Sequence, residues 1–316
     1  MPHLKRQRPR LVAVLGPSAS GKSDLAIDIA RMFGAEILSA DSLQVYRHLD
    51  IGTAKPTAEL RYNYPHHLID IVEPDEEFNA GLYRAAAAKV IDALHSSGKR
   101  MVVVGGTFLY VRVLLNGLVE GIPADIDIRD SLRRERASYG DGWMHTKLRL
   151  IDPHSAGKIH PNDYVRIERA LEAYYLTGTT MAELRAQQSG EDTLYDCLTV
   201  CLSMEREDLW DRIEKRTDRM VERGLVDEVK GLGEMGYSSC LKPLQSIGYK
   251  EIIRHIKGEI SLDEAVELMK RDTRRLVKRQ MTWLRKEERL MWFHPGRDRD
   301  ALMKTIEEFY LRGERR

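Results

Sequence analysis

LVAVLGPSASGKSDLAIDIARMF, residues 11–33, reads as a strand, a glycine-rich turn and a helix. Leu11 to Leu15 is an unbroken apolar run, the pattern of a strand buried on both faces of a parallel sheet. Gly16-Pro17-Ser18-Ala19-Ser20-Gly21-Lys22-Ser23 fits the phosphate-binding pattern G-x-x-x-x-G-K-[ST]. Ser23 to Phe33 spaces its apolar residues helically and stops before Gly34. The chemistry needs this order. Gly16 and Gly21 let the backbone wrap a phosphate, and the loop amides and helix N-terminus bind the anion. Lys22 adds a point charge. Ser23 offers a hydroxyl to a phosphate-bound magnesium ion. The loop specifies a diphosphate or triphosphate and leaves the reaction open.

Outward from this stretch, strands and helices alternate. Glu36–Ser39, His67–Val72 and Arg100–Val104 read as further strands, with a helix over Asn79–Ser97. From about Gly117 to Thr193 the strand signal vanishes and helical spacing replaces it; Leu194–Met204 returns as a core strand, and the chain is mostly helical from Asp208. The expected fold is α/β: a doubly wound parallel sheet flanked by helices over 1–117 and 194–316, carrying a helical insertion over 118–193.

Composition sets limits. The 316 residues are 42% hydrophobic and 31% charged with net charge +1, so any nucleic-acid surface must be a local basic patch. Cys197, Cys201 and Cys240 cannot build a disulfide framework, and the first two lie in an apolar run as strand residues. No secretory h-region or membrane-length apolar stretch is present. A cytoplasmic protein is expected, and nothing demands an oligomer. Lys5, Arg6, Arg8 and Arg10 read as a solvated tail.

In such sheets ligands bind beyond the C-terminal strand ends. Three segments should meet there: the phosphate loop, Ser39–Gln44 and Gly105-Gly106-Thr107. Asp41 could hold magnesium through water or act as a general base, or it could be the N-cap of a helix over the SLQVY segment that follows. Between Lys270 and Arg289 nine basic residues face three acidic ones. Lys270, Arg274 and Lys278 share one helix face, Arg271, Arg275 and Arg279 form an adjacent stripe, and Trp283 is near. A cationic helix with an aromatic suits a phosphate backbone and an exposed base; a solvated helix balanced by acids elsewhere is the other reading.

Specific words carry the reading further. GPSASGKS (16–23), SADSLQVYR (39–47), IGTAKP (51–56), HHLID (66–70), GGTFLY (105–110), HPNDYVRIERALE (160–172), RTDRMVERGLVDEV (216–229), IGYKE (247–251) and TRRLVKRQMTWLR (273–285) run in order along nearly the whole chain. Together they resemble the tRNA dimethylallyltransferase (isopentenyltransferase) family. Phe108, Val277, Ser18 and Ser23 depart from its commoner residues, and Ser23 keeps the magnesium-ligand hydroxyl. The zinc finger of eukaryotic members does not follow Arg289, so the resemblance is to the bacterial type.

The resemblance implies transfer of a dimethylallyl group from dimethylallyl diphosphate to the exocyclic amine of the adenine 3′ of the anticodon in tRNA. Gly16 to Ser23, with magnesium, would hold the diphosphate as leaving group. Arg216 would contact it too, with Arg219 one turn away as the other register. Asp41 matches the general base and Thr107 the hydroxyl beside the acceptor, with capping of the next helix as the alternative role for Thr107. Ser42, Leu43 and Gln44 match the stretch beside the extruded base. The tRNA-contacting parts of the family match Arg129; Tyr164, Val165, Arg166, Ile167 and Glu168; Gln245, Ser246, Ile247, Gly248, Tyr249 and Lys250; and Lys278, Arg279, Gln280, Met281, Thr282, Trp283, Leu284 and Arg285. Gln44 and Arg279 are the foremost among these. His66 and His67 are expected at a strand edge, without chemistry. A small-molecule kinase would share the loop yet leave DSLQVY and the basic helix unexplained. An RNA-binding ATPase or GTPase would explain the helix but not Asp41.

Overall fold

The computed structural model describes residues 8–117, 124–188 and 194–312. Lys5 and Arg6 of the basic tail lie outside the described residues, and Arg10 is not a solvated tail residue, since it opens the first strand, pairs with Asp196 at 2.9 Å and stacks on Phe309. The chain divides into two compact units, Met1–Asn116 with Leu194–Arg316, and Gly117–Thr193.

The first unit opens with β1 (Arg10–Leu15), α1 (Lys22–Phe33), β2 (Glu36–Ser39), α2 (Ala58–Asn63), β3 (His66–His67), α3 (Ala80–Ser96), β4 (Met101–Val104) and α4 (Phe108–Asn116). The second unit holds α5 (Ile126–Tyr139), α6 (Asp141–Ile151), α7 (Pro153–Ala156), α8 (Tyr164–Thr177) and α9 (Met181–Gln188). The first unit resumes with β5 (Asp196–Leu202), α10 (Arg206–Glu222), α11 (Leu225–Glu234), α12 (Tyr249–Ile256), α13 (Leu262–Leu284), β6 (Met291–Phe293) and α14 (Arg299–Leu311).

Six strands form one parallel sheet in the order β3-β2-β4-β1-β5-β6. Alternation along β1 explains the apolar run. Leu11, Ala13 and Leu15 join the core built with α3, α4 and α11 to α13, while Val12 and Val14 join the opposite core with α1 and α14. Both faces are covered from Leu11 to Leu15, so no position there can be polar. The second unit has its own core around Leu132, Met144, Leu148, Ile167 and Leu171. No helix among the described residues is long and apolar enough to cross a membrane.

Two differences from expectation have local causes. The strand expected over His67–Val72 is confined to His66–His67, because Leu68 and Asp70 adopt φ of 65° and 56°, where an extended chain cannot continue. Lys55 and Arg61 both pair with Asp70 and hold that conformation. His67 sits at this edge and bonds Glu36 at 2.8 Å. Met291–Phe293 adds a sixth strand that the sequence did not announce; three residues beside a charged segment are too short for a periodic signal.

Candidate active site

The phosphate loop leaves β1 at Gly16, whose φ is 151°. A Cβ there would lie 2.7 Å from Ser20 Oγ and 2.9 Å from the Leu202 carbonyl. Ala19 and Gly21 are left-handed (φ 66° and 91°), so the backbone curls before α1 begins. Ser20 Oγ is fully buried with no hydrogen-bond partner among the described residues. A buried hydroxyl without a partner in a curled loop at a helix N-terminus is what an anion-binding cradle presents.

Asp41 and Thr107 meet beside it. Asp41 Oδ1 accepts the amides of Leu43 (2.9 Å) and Gln44 (3.3 Å). The capping role is therefore real, but it caps a turn and uses one oxygen. Oδ2 has no hydrogen-bond partner among the described residues. The Thr107 hydroxyl accepts the Ser42 amide at 2.9 Å and donates to Ser42 Oγ at 3.1 Å. It thus faces the 41–44 turn rather than capping α4. Gly105 permits this approach, since a Cβ would collide with the Ala40 carbonyl. Gln44 accepts from Ser39 Oγ (2.9 Å) and donates to the carbonyls of Thr53 (3.3 Å) and Ala54 (3.5 Å).

A cavity of about 560 Å³ opens over the loop, bounded by residues 19–24, Ile51, Ala54, Met220 and four arginines of α10 and its C-cap: Arg212, Arg216, Arg219 and Arg223. The spacing i, i+4, i+7, i+11 places them on one helix face. That periodicity was present in the sequence, and Arg212 and Arg223 are cavity residues that motif matching passed over. Lys22 Nζ donates to the Pro17 carbonyl at 2.6 Å. Burial and the charge of Arg216 pull its pKa down to about 8, against the opposing pull of Asp41. Burial also lowers Arg216, and Asp41 again opposes. Arg216 is thus the arginine that shares the field of Lys22 and Asp41. Arg219 is exposed and donates Nε to the Lys215 carbonyl.

Helix α13 divides its basic residues. Its middle turns are balanced: Lys270 pairs with Asp218 and Glu267, Arg274 with Glu214, and Arg271 and Arg275 with Asp272. Lys278, Arg279 and Arg285 are exposed, with no ion pair among the described residues, and Thr282 is exposed beside them. Gln280 and Leu284 turn inward, with Met281 and Trp283 partly buried. The Gln280 carbonyl oxygen accepts the Ser18 amide (2.9 Å), and its amide donates to the Gly106 carbonyl (3.2 Å), bridging the phosphate loop and the Thr107 segment. Trp283 stacks on Phe108, ring centroids 5.3 Å apart. Gln280 and Leu284 are therefore corrected from surface contacts to internal ones.

Among residues 245–250, Gln245 is exposed and donates to the Ser239 carbonyl, Ser246 and Ile247 are partly buried, and Gly248 and Tyr249 are buried. Lys250 pairs with Asp272 and Glu251. Tyr249 thus presents no side chain outward. In the second unit, Val165 and Arg166 are exposed, while Tyr164, Ile167 and Glu168 face the core; Ile167 packs there fully. The expected continuous contact over 164–168 narrows to one helix face, as a 3.6-residue period requires. Arg129 makes a two-pronged pair with the fully buried Glu172 (2.7 and 3.1 Å). Burial pushes the Glu172 carboxyl up, but bonds from Arg129, the Asp125 amide and Arg169 outweigh it and leave it below its ordinary range.

No group of three His, Cys, Asp or Glu among the described residues could hold a metal ion unaided. Ser23, exposed at the start of α1, supplies one hydroxyl. This donor set fits magnesium only as an ion shared with a diphosphate.

A curled loop at a helix N-terminus, a wall of arginines and a carboxylate with one oxygen unpartnered among the described residues suit a phosphorylated donor. The family profile described as IPP transferase matches residues 44–287. The chain is 47% identical over 301 residues to tRNA dimethylallyltransferase 2 of Geotalea uraniireducens, covering 95% of this chain and 97% of that protein. It is similar to the solved full-length tRNA isopentenylpyrophosphate transferase of Bacillus halodurans (41% identity, TM-score 0.70, 96% of each chain). It also resembles a eukaryotic dimethylallyltransferase solved acting on tRNA (30% identity, TM-score 0.79, 94% of this chain and 77% of that one). The chain belongs to the IPP transferase family, and its class is that of a prenyltransferase modifying tRNA.

Proposed function

We propose that this enzyme joins the dimethylallyl carbon of dimethylallyl diphosphate to the exocyclic amine of the adenine 3′ of the anticodon, releasing diphosphate. The observation that carries the reading is the pairing of Lys22 and Arg216 on the wall of one cavity, with the Asp41 carboxylate near enough to act on the charge of both. Loop amides, Lys22 and Arg216 hold the diphosphate and stabilise the charge that grows as the C–O bond breaks. The Ser23 hydroxyl would help to hold a magnesium ion shared with the diphosphate, and that ion would supply further charge neutralisation. Asp41 Oδ2 accepts the proton of the amine as the C–N bond forms, and Oδ1 keeps the turn in place. The adenine amine is a weak nucleophile because its lone pair is delocalised, so a carboxylate partner raises its reactivity and fixes its direction. Thr107 and Ser42 flank that base, Gln44 orders the turn, and Lys278, Arg279 and Arg285 bind the RNA backbone.

One incubation tests this. Protein, magnesium, radiolabelled dimethylallyl diphosphate and an anticodon stem-loop bearing that adenine are mixed, and label in the RNA is counted. Label that disappears when the adenine becomes guanine is the expected result. A parallel tube with ATP and no RNA tests the other reading: ATP consumed there, with no label in RNA, would make the site that of a kinase or ATPase.

A further inference from the structure

Two sequence words, IGTAKP and RGLVDEV, contribute no reacting group to this chemistry, yet the fold brings them together. The Glu228 carboxylate, on α11, accepts the backbone amides of Asp50 (3.1 Å), Ile51 (2.6 Å) and Gly52 (3.2 Å), and the Tyr249 hydroxyl (2.6 Å). Four donors on one carboxylate fix the path of the 50–52 backbone. Tyr249 is fully buried and packs where a Gly52 side chain would stand; a Cβ there would lie 2.5 Å from the ring. Beyond Gly52, the Thr53 hydroxyl donates to the Leu49 carbonyl at 2.5 Å, and the buried Lys55 ammonium donates to the Tyr46 carbonyl at 2.6 Å and pairs with Asp50 and Asp70. Ala54 is held at φ 51° between these anchors. An over-determined loop at a functional site keeps a shape it would not choose freely.

The shape matters because Ile51 and Ala54 are, with Ala19 and Met220, the apolar members of a cavity wall that also carries Lys22 and four arginines. We propose that Glu228 is a positioning residue. With Tyr249, it sets Ile51 and Ala54 as the surface on which the hydrocarbon part of an allylic diphosphate rests. This inference rests on the reading of the cavity as a diphosphate site. The diphosphate is satisfied by the loop amides, Lys22 and Arg216. A branched five-carbon tail needs apolar surface, and its burial contributes only where that surface is held still.

Two probes separate tail from diphosphate: inorganic pyrophosphate and an unreactive thiolo analogue of dimethylallyl diphosphate, each titrated with magnesium into the full chain. In Glu228→Gln and in Ile51→Ala, pyrophosphate affinity stays within about twofold of wild type while analogue affinity falls about tenfold, since only the analogue carries a tail to lose apolar contact. Tyr249→Phe leaves the three amides on Glu228 and gives a smaller fall of the same kind. Equal losses for both probes, or no loss for the analogue in a folded Glu228→Gln protein, overturn the inference. Should Glu228→Gln not fold, the ratio of the two affinities in Ile51→Ala and Tyr249→Phe decides by the same criterion. Wild-type protein that bound neither probe would overturn the diphosphate reading itself, and this inference with it.

Discussion

Lys22 and Arg216 reach one cavity from two helices, and burial, with the Arg216 charge adding to it, lowers the pKa of the Lys22 ammonium to about 8 from its ordinary 10.5. A cation this easily discharged depends on a bound anion to stay charged. Donor capture by the free enzyme, read as kcat/KM for dimethylallyl diphosphate, should fall as pH rises through about 8, while kcat, governed by the anion-bound enzyme, stays level to higher pH. The stability effect has the opposite sense. The unfolded chain holds the Lys22 proton up to 10.5 and the folded chain only to about 8, so Lys22 costs stability below 8 and the cost fades as pH rises between the two values. Lys22→Met should therefore abolish turnover and, at neutral pH, stabilise the free protein by on the order of 1 kcal/mol in thermal unfolding. A kcat/KM profile flat well above pH 8 would show that Lys22 is not the titrating group.

Asp41→Asn separates the two oxygens of that side chain. The asparagine carbonyl can still accept from Leu43 and Gln44, so the turn and the melting temperature should be kept. The base is gone. Turnover should drop by about 100- to 10,000-fold with tRNA affinity nearly unchanged. Single-turnover rates and filter binding on the same preparation check this, and parallel losses in both would make Asp41 a binding group.

The two halves of α13 should behave differently towards RNA. Lys278→Ala, Arg279→Ala and Arg285→Ala should each weaken tRNA binding and reduce the slope of log K against log salt by about one. Lys270→Ala and Arg274→Ala, whose charges are matched by Asp218 and Glu214, should leave that slope unchanged and cost stability by less than about 1 kcal/mol. Salt-dependent binding of an anticodon stem-loop gives the slopes.

The glycine-rich loop and the parallel sheet were legible because each rests on local pattern. A doubly buried strand must be apolar throughout, a phosphate cradle needs glycine where φ is positive, and a lysine and hydroxyl must follow at the helix start. The arginine periodicity of α10 was equally local, though only Arg216 and Arg219 were read from it. Less was legible where a side chain's partner lies far along the chain. Gln280 shared a basic word with Arg279, yet the first turns inward to Ser18 and Gly106 and the second outward. Within RIE, Ile167 packs into the helical core while Arg166 does not.

By itself the sequence determined the anion cradle, the strands that carry it and the words that place the chain in its family, because backbone geometry and burial constrain residue type one position at a time. Only the tertiary structure decided which basic residues are paired with acids, which oxygen of Asp41 is left over, and that Glu228 reaches back to the amides of residues 50–52. Those outcomes depend on which distant groups compete for the same hydrogen bond, and that competition exists only once the chain has folded.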